Sequence, residues 1–201
     1  MSTQPKHFLT EEEYLEIERK AEFKSEYFAG EMFAMAGAKE GHNLLGTNFV
    51  REISQQLRSR PCRVYSNDMR VRIAPSGLYA YPDVVAVCGE PQFLDDNRDN
   101  LLNPALIVEI LSPSTEAYDR GDKFQFYRSI ESLREYVLVS TSHVHVDLLT
   151  RQPDGNWLLR SLSNLSDTLE FESVGARITL SDLYEKVEFT PAPPVMRPQP
   201  R

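Results

Sequence analysis

Two hundred and one residues, 41% of them apolar and 10% aromatic, supply the material for one domain with a sizeable core, which excludes disorder as a description of the whole. Thirty Asp and Glu outnumber twenty-two Lys and Arg, for a formal net charge of −8. That is the wrong sign for a protein that coats nucleic acid by bulk electrostatics, so any nucleic-acid role needs a locally basic surface. Two cysteines, Cys62 and Cys88, are too few for a disulfide scaffold, and no CxxC pair occurs. Both are expected to fill strand positions as small apolar residues. No basic segment followed by an apolar one opens the chain, and no apolar run approaches the length of a membrane span. The expectation is a reducing cytoplasm and no membrane partner.

Taken in order, the first helix starts at Thr10, whose hydroxyl can cap it while Glu13 reaches back, with Tyr14, Leu15 and Ile17 as its apolar side. Residues 25–28 and 31–35 read as two strands around an Ala29-Gly30 hairpin turn. A long helix follows over 40–60, with Leu45, Phe49, Ile53 and Leu57 four apart on one face and His42 near that face. After Pro61 the pattern alternates, predicting strands at 62–66, 69–73 and 79–87 with a turn at Pro75-Ser76-Gly77. Residues 90–104 form a polar loop whose 95–100 core cannot be a strand, of a length often functional or mobile. The apolar run 105–111 reads as a strand buried on both faces. A helix is expected over 119–130, strands over 136–139, 143–149 and 156–162, and a short helix over 181–186. Residues 1–190 thus make one domain of mixed strand and helix around a central sheet. Residues 191–201, with five of the thirteen prolines, read as a disordered tail.

Glu109 is the anomaly. An ionised carboxylate among Ile107, Val108, Ile110 and Leu111 is costly unless a cation meets it. Asp83, after Tyr81-Pro82 and before four apolar residues, poses the same problem in milder form. Two carboxylates converging from neighbouring strands make a hard-oxygen site suited to Mg²⁺ or Mn²⁺. Each could instead meet an arginine or a backbone cap. Lys123 reads either as a solvated helix lysine or as a cation that neutralises charge growing on a phosphorus centre.

Tyr81-Pro82-Asp83, then residues 107–115, then Asp119 through Lys123 and Tyr127, then residues 134–139, with Ser25 to Glu31 and His42 upstream, resemble a bacterial family of restriction endonucleases within the PD-(D/E)xK nuclease superfamily. The resemblance covers roughly residues 10–186. It implies an α/β (α+β) restriction-endonuclease-like fold, a central mixed sheet flanked by helices, and metal-dependent hydrolysis of DNA phosphodiester bonds. It implies Asp83 and Glu109 as metal-binding carboxylates, joined by the backbone carbonyl of Ile110. The superfamily lysine expected two residues after the glutamate is replaced by Leu111; Lys123, on the following helix, is the residue that fits its role. Glu26 and His42 also match, as ligands, proton carriers or groups supporting the site. Glu26 could equally pair with Lys24, and His42 could be a hydrogen-bonded core histidine. Asp119 is read as the cap of the helix that carries Lys123. A homodimer is expected, since paired active sites can cut both strands.

His143, His145 and Asp147 share one strand face, a spacing known at transition-metal sites, but an exposed polar face accounts for it better. Nothing matches GxxxxGK[ST], GxGxxG or GxSxG. Six arginines from Arg51 to Arg72 against two acids, and a smaller excess from Arg120 to Arg134, could hold phosphates or lie on solvated faces. Two rivals to the nuclease remain: a catalytically inactive nucleic-acid-binding or regulatory module on the same scaffold, and a small-molecule hydrolase built on the His143 face.

Overall fold

The computed structural model describes residues 8–189; the proline-rich stretch 191–201 lies outside them. The elements are α1 (Glu11–Glu18), β1 (Ser25–Phe28), β2 (Glu31–Ala34), α2 (Glu40–Leu57), β3 (Cys62–Ser66), β4 (Arg70–Ile73), β5 (Leu78–Ala80), β6 (Val84–Cys88), β7 (Asn100–Leu101), β8 (Leu106–Leu111), α3 (Glu116–Arg120), α4 (Asp122–Tyr127), β9 (Glu135–Ser140), β10 (Val146–Arg151), β11 (Trp157–Leu162), β12 (Thr168–Phe171), β13 (Ala176–Thr179) and α5 (Leu180–Leu183). They build an α+β fold on two principal sheets, ordered β2-β1-β5-β4-β7 and β11-β10-β9-β8-β6-β3, with β12-β13 as a separate hairpin. Both large sheets are mixed, through the parallel pairs β4·β7 and β8·β9. The single central sheet expected is therefore two.

The division falls at Pro82. The apolar pattern over 79–87 predicts one strand, but a proline cannot donate to a ladder. The chain leaves the first sheet after Ala80, crosses through Tyr81, Pro82 and Asp83, and enters the second at Val84. This crossover leaves Asp83 beside the middle of β8, with β6 running antiparallel to it and Val84 opposite Val108.

β8 is buried on both faces, as its composition predicts. Leu106, Val108 and Ile110 pack beneath α2 with Leu45, Phe49, Ile53 and Leu57. Ile107 and Leu111 turn the other way, toward the five-stranded sheet and Tyr127. Each large apolar side chain so enclosed contributes roughly 1.5–3 kcal/mol. Helix α2 lies close on the sheet at Gly46, where a Cβ would sit 3.4 Å from Cδ1 of Ile110. That approach carries His42, one turn earlier, toward the strand ends.

Local signals account for the smaller elements. Thr10 and Glu13 form the expected capping box, and Tyr14 and Leu15 are buried, whereas Ile17 is exposed. Ala29 and Gly30 both take positive φ, 50° and 86°, as a two-residue hairpin turn requires. The helix expected over 119–130 is two short ones, broken at Gly121, whose φ and ψ of −104° and −102° are not helical. Within the polar loop Asn100 does enter a strand, and Phe93 bridges to Leu101. Arg19, at the end of α1, grips Asp95 and Asp99, so the loop is pinned. Cys62 and Cys88 occupy the expected strand positions, but they face each other across β3 and β6 and are joined as a disulfide, because the register sets them directly opposite.

Candidate active site

Strand alternation turns Glu109 away from α2, onto the face covered by α4 and β1. There its Oε1 meets the Lys123 ammonium at 3.0 Å and accepts a hydrogen bond of 2.9 Å from the Tyr127 hydroxyl. Lys123, the second residue of α4, is held by two further carboxylates: Glu26 of β1 at 3.1 Å and Asp119 of α3 at 3.6 Å. Glu26 also accepts the Tyr81 N–H at 3.3 Å. Thus two strands and two short helices deliver one lysine and three carboxylates to a single buried point.

Asp83 stands at the edge of this cluster. Its Oδ2 accepts the Ile110 N–H at 2.7 Å, which orients it beside Glu109, and His42 Nε2 approaches the same oxygen at 3.3 Å. All five side chains singled out by sequence, Glu26, His42, Asp83, Glu109 and Lys123, are therefore brought to one place, with the Ile110 backbone beside them.

The electrostatics follow from the count of charges: four carboxylates, one ammonium and one histidine. Burial pushes the Glu109 carboxyl well above the usual carboxylate range; Lys123 opposes this, while Asp119, Asp83 and Glu26 add to it. Burial alone would pull the Lys123 ammonium down, but Glu109, Glu26 and Asp119 together hold it well above the ordinary lysine value. Burial likewise disfavours a charged His42, and Asp83 and Ile110 outweigh it, so the imidazole is held above its usual value. Asp119 is raised by burial, with Lys123 opposing. A site with more buried carboxylates than cations favours any added positive charge, whether a proton or a metal ion.

Oxygen donors in excess of cations fit a hard divalent ion. Among the described residues no three His, Cys, Asp or Glu side chains are gathered as a complete cage. This is compatible with Mg²⁺, which is usually bound by one or two carboxylates and keeps several waters.

Some expectations need correction. Glu26 pairs with Lys123, not Lys24, which instead bonds Asp68 at 2.9 Å. Asp119 does not cap α4, whose N-cap is Gly121; it is buried and points at Lys123. Asp147 is not on an exposed face: it is buried and committed to Arg120 and Ser161. His145 Nε2 lies 3.2 Å from Asp147, and His143 rests on Ser142 at 2.9 Å. Half of the basic run from Arg51 to Arg72 is spent on the molecule's own acids: Arg51 on Glu52 and Glu185, Arg70 on Asp99, Arg72 on Glu11. Tyr118 was not singled out. Its ring lies 6.0 Å from the Lys123 ammonium, and no spacing signal marks a half-exposed tyrosine for such a place.

Two mixed sheets with few helices thus carry a buried carboxylate–lysine cluster on one face of β8. The chain belongs to the family described as "Putative restriction endonuclease", which residues 11–181 match. Two proteins of Synechocystis sp. (strain ATCC 27184 / PCC 6803 / Kazusa) are similar along most of their length. Protein slr1290 is 35% identical over 186 residues, covering 90% of this chain and 94% of the relative. Protein sll1609 is 39% identical over 163 residues, covering 81% and 92%. The fold is shared with a crystal structure described as a putative nuclease belonging to DUF820 from Anabaena variabilis ATCC 29413. Its TM-score is 0.73 at 16% identity, covering 88% of this chain and 97% of that one.

Proposed function

We propose that the chain is a metal-dependent endonuclease that hydrolyses DNA phosphodiester bonds at the cluster of Asp83, Glu109 and Lys123. The observation that carries this reading is the convergence of residues remote in sequence: Asp83 and Glu109 beside one another on Ile110, with Lys123 3.0 Å from Glu109. A bound Mg²⁺ or Mn²⁺ supplies a lowered water pKa and a polarised phosphoryl oxygen. Asp83, Glu109 and the Ile110 carbonyl are the groups to hold it. Lys123 stays protonated at the reacting phosphate, where it orients the attacking water or neutralises charge as it builds. Tyr127 fixes the Glu109 carboxylate by its hydrogen bond, Glu26 and Asp119 fix the lysine, and His42 holds Asp83 and can pass a proton at Nε2.

Among the described residues no helix is long and apolar enough to cross a membrane. In the proposed reading the enzyme works as a homodimer, which light scattering at twice the chain mass checks. The activity is tested by incubating supercoiled plasmid and labelled oligonucleotides with the protein in Mg²⁺ or Mn²⁺. Nicking or cutting is expected that stops with a chelator and in Asp83→Asn and Glu109→Gln. Cleavage that survives both substitutions overturns the site; nucleic-acid binding without any cleavage favours the inactive binding module.

A further inference from the structure

Two exposed aromatic side chains belong to the elements around the cluster, Tyr118 on α3 and Phe33 on β2, the strand paired with β1. Tyr118, on α3, is 37% exposed, and its ring centre lies 6.0 Å from the ammonium. Phe33, on β2, is 50% exposed and is paired directly with Glu26 across the hairpin. Directly paired residues of antiparallel strands project from the same face, with Cβ atoms about 5 Å apart. Since Glu26 reaches Lys123 at 3.1 Å, Phe33 shares the face that bears the site, one strand further out on the sheet edge. Its neighbour on that face of β1, Phe28, is used structurally, packing on Phe126 at 4.9 Å. Among the described residues no ring packs in this way on Phe33 or Tyr118.

The charge around the site says what these rings are for. A phosphodiester strand arriving here meets four carboxylates, and a chain of net charge −8 offers it little attraction. Arg19, Arg51, Arg70, Arg72 and Arg120 are engaged by the protein's own acids. Besides the metal and Lys123, a source of affinity that does not depend on phosphate contacts suits this site. Base stacking on aromatic rings is that source, it tolerates any sequence, and it needs bases with an open face.

We infer that Phe33 and Tyr118 are stacking platforms for the unpaired nucleobases flanking the reacting phosphate, so that the site takes single-stranded or locally opened nucleic acid in preference to an intact duplex. The inference rests on the nuclease reading and deepens it. Burial and the neighbouring carboxylates push the Tyr118 phenol up to about 12, so it presents a neutral ring and a hydroxyl donor at any working pH. Its place beside the lysine also sets the flanking nucleotide against the group that attends the phosphate.

Fluorescence anisotropy in Ca²⁺ tests this with three probes: a fluorescein-labelled single-stranded 12-mer, the same strand with abasic central positions, and its duplex. The wild-type chain should bind the base-bearing strand roughly ten-fold more tightly than either other probe. Phe33→Ala and Tyr118→Ala should each lose about that factor on the base-bearing strand and almost none on the abasic one, while Tyr118→Phe, which keeps the ring, retains it. Equal binding of all three probes by the wild type, or unchanged binding by both alanine variants, overturns the inference. Cleavage in Mn²⁺, run in parallel, separates the two levels. A chain that cuts but does not discriminate loses only the stacking platforms, whereas one that neither cuts nor binds loses the nuclease reading as well.

Discussion

Lys123 and Glu109 form a buried ion pair of 3.0 Å in which the lysine is shared by three carboxylates and the glutamate by one cation and a phenol. The two members are therefore not equivalent. Removing the lysine strands Glu26, Glu109 and Asp119 together, and breaking a buried pair in this way costs about 3–5 kcal/mol. Removing the charge of Glu109 leaves Lys123 with two partners. Urea unfolding should show Lys123→Ala strongly destabilised and Glu109→Gln at least as stable as wild type at neutral pH. A Glu109→Gln protein as damaged as Lys123→Ala would contradict this asymmetry.

Stability should peak on the acid side of neutrality. Glu109, Asp119 and Glu135 are held above the carboxylate range by burial, so the stability they contribute is present below their ordinary values and is lost as pH rises through the raised ones. Asp99, lowered against its burial by Arg19 and Arg70, and Asp95, lowered by Arg19, act with the opposite sign. Their stabilisation is present above the ordinary aspartate value, roughly 4, and disappears as pH falls. Thermal melts across pH should therefore rise on going down from neutrality and fall again in acid. Glu109→Gln should flatten the first slope and leave the second.

The clamp on the loop at residues 90–104 separates exposed from buried pairing. Arg19 bonds Asp95 and Asp99 at the surface, where ion pairs contribute about 0–1 kcal/mol. Arg70 also bonds Asp99 but is itself buried, 5.9 Å and 5.7 Å from the ring centres of Tyr14 and Tyr81. Arg19→Ala should be nearly silent in urea unfolding, whereas Asp99→Ala, which leaves Arg70 unpaired, should cost about 3 kcal/mol.

The Cys62–Cys88 bond ties β3, the edge of the six-stranded sheet, to β6 across a sequence separation of 26. Closing a loop of that size contributes about 3 kcal/mol by restricting the unfolded chain. Unfolding followed with and without dithiothreitol should show that loss, and Cys62→Ser should reproduce it without added reductant. No effect of reductant would mean that the thiols are not joined in solution.

Legibility in the sequence followed physical range. Thr10 with Glu13, Ala29-Gly30 and the four-residue spacing of Leu45 to Leu57 are local signals, and those elements lie where they were expected. Glu109 was conspicuous because charge inside an apolar strand has few explanations. Tyr79 to Val87 misled because an apolar pattern does not say which sheet a strand joins; only Pro82 marked the break. Asp119 and Asp147 were misplaced for a related reason: an acid next to a helix start or on an alternating strand reads as exposed unless its distant partner, Lys123 or Arg120, is known. The cysteine bond likewise depended on β3 lying beside β6. Tyr118 and Phe33 gain meaning only through the lysine that α3 and Glu26 of the hairpin approach.

The central claim is that Asp83 and Glu109 share one divalent ion. Titration of the full chain with Mn²⁺, followed by the loss of free-ion electron paramagnetic resonance signal, tests it most directly. One ion per chain should bind with an affinity that rises with pH as the Glu109 carboxyl loses its proton, and binding should disappear in both Asp83→Asn and Glu109→Gln. Stoichiometric binding that persists in both variants, or a folded wild-type chain that takes up no ion, would contradict it.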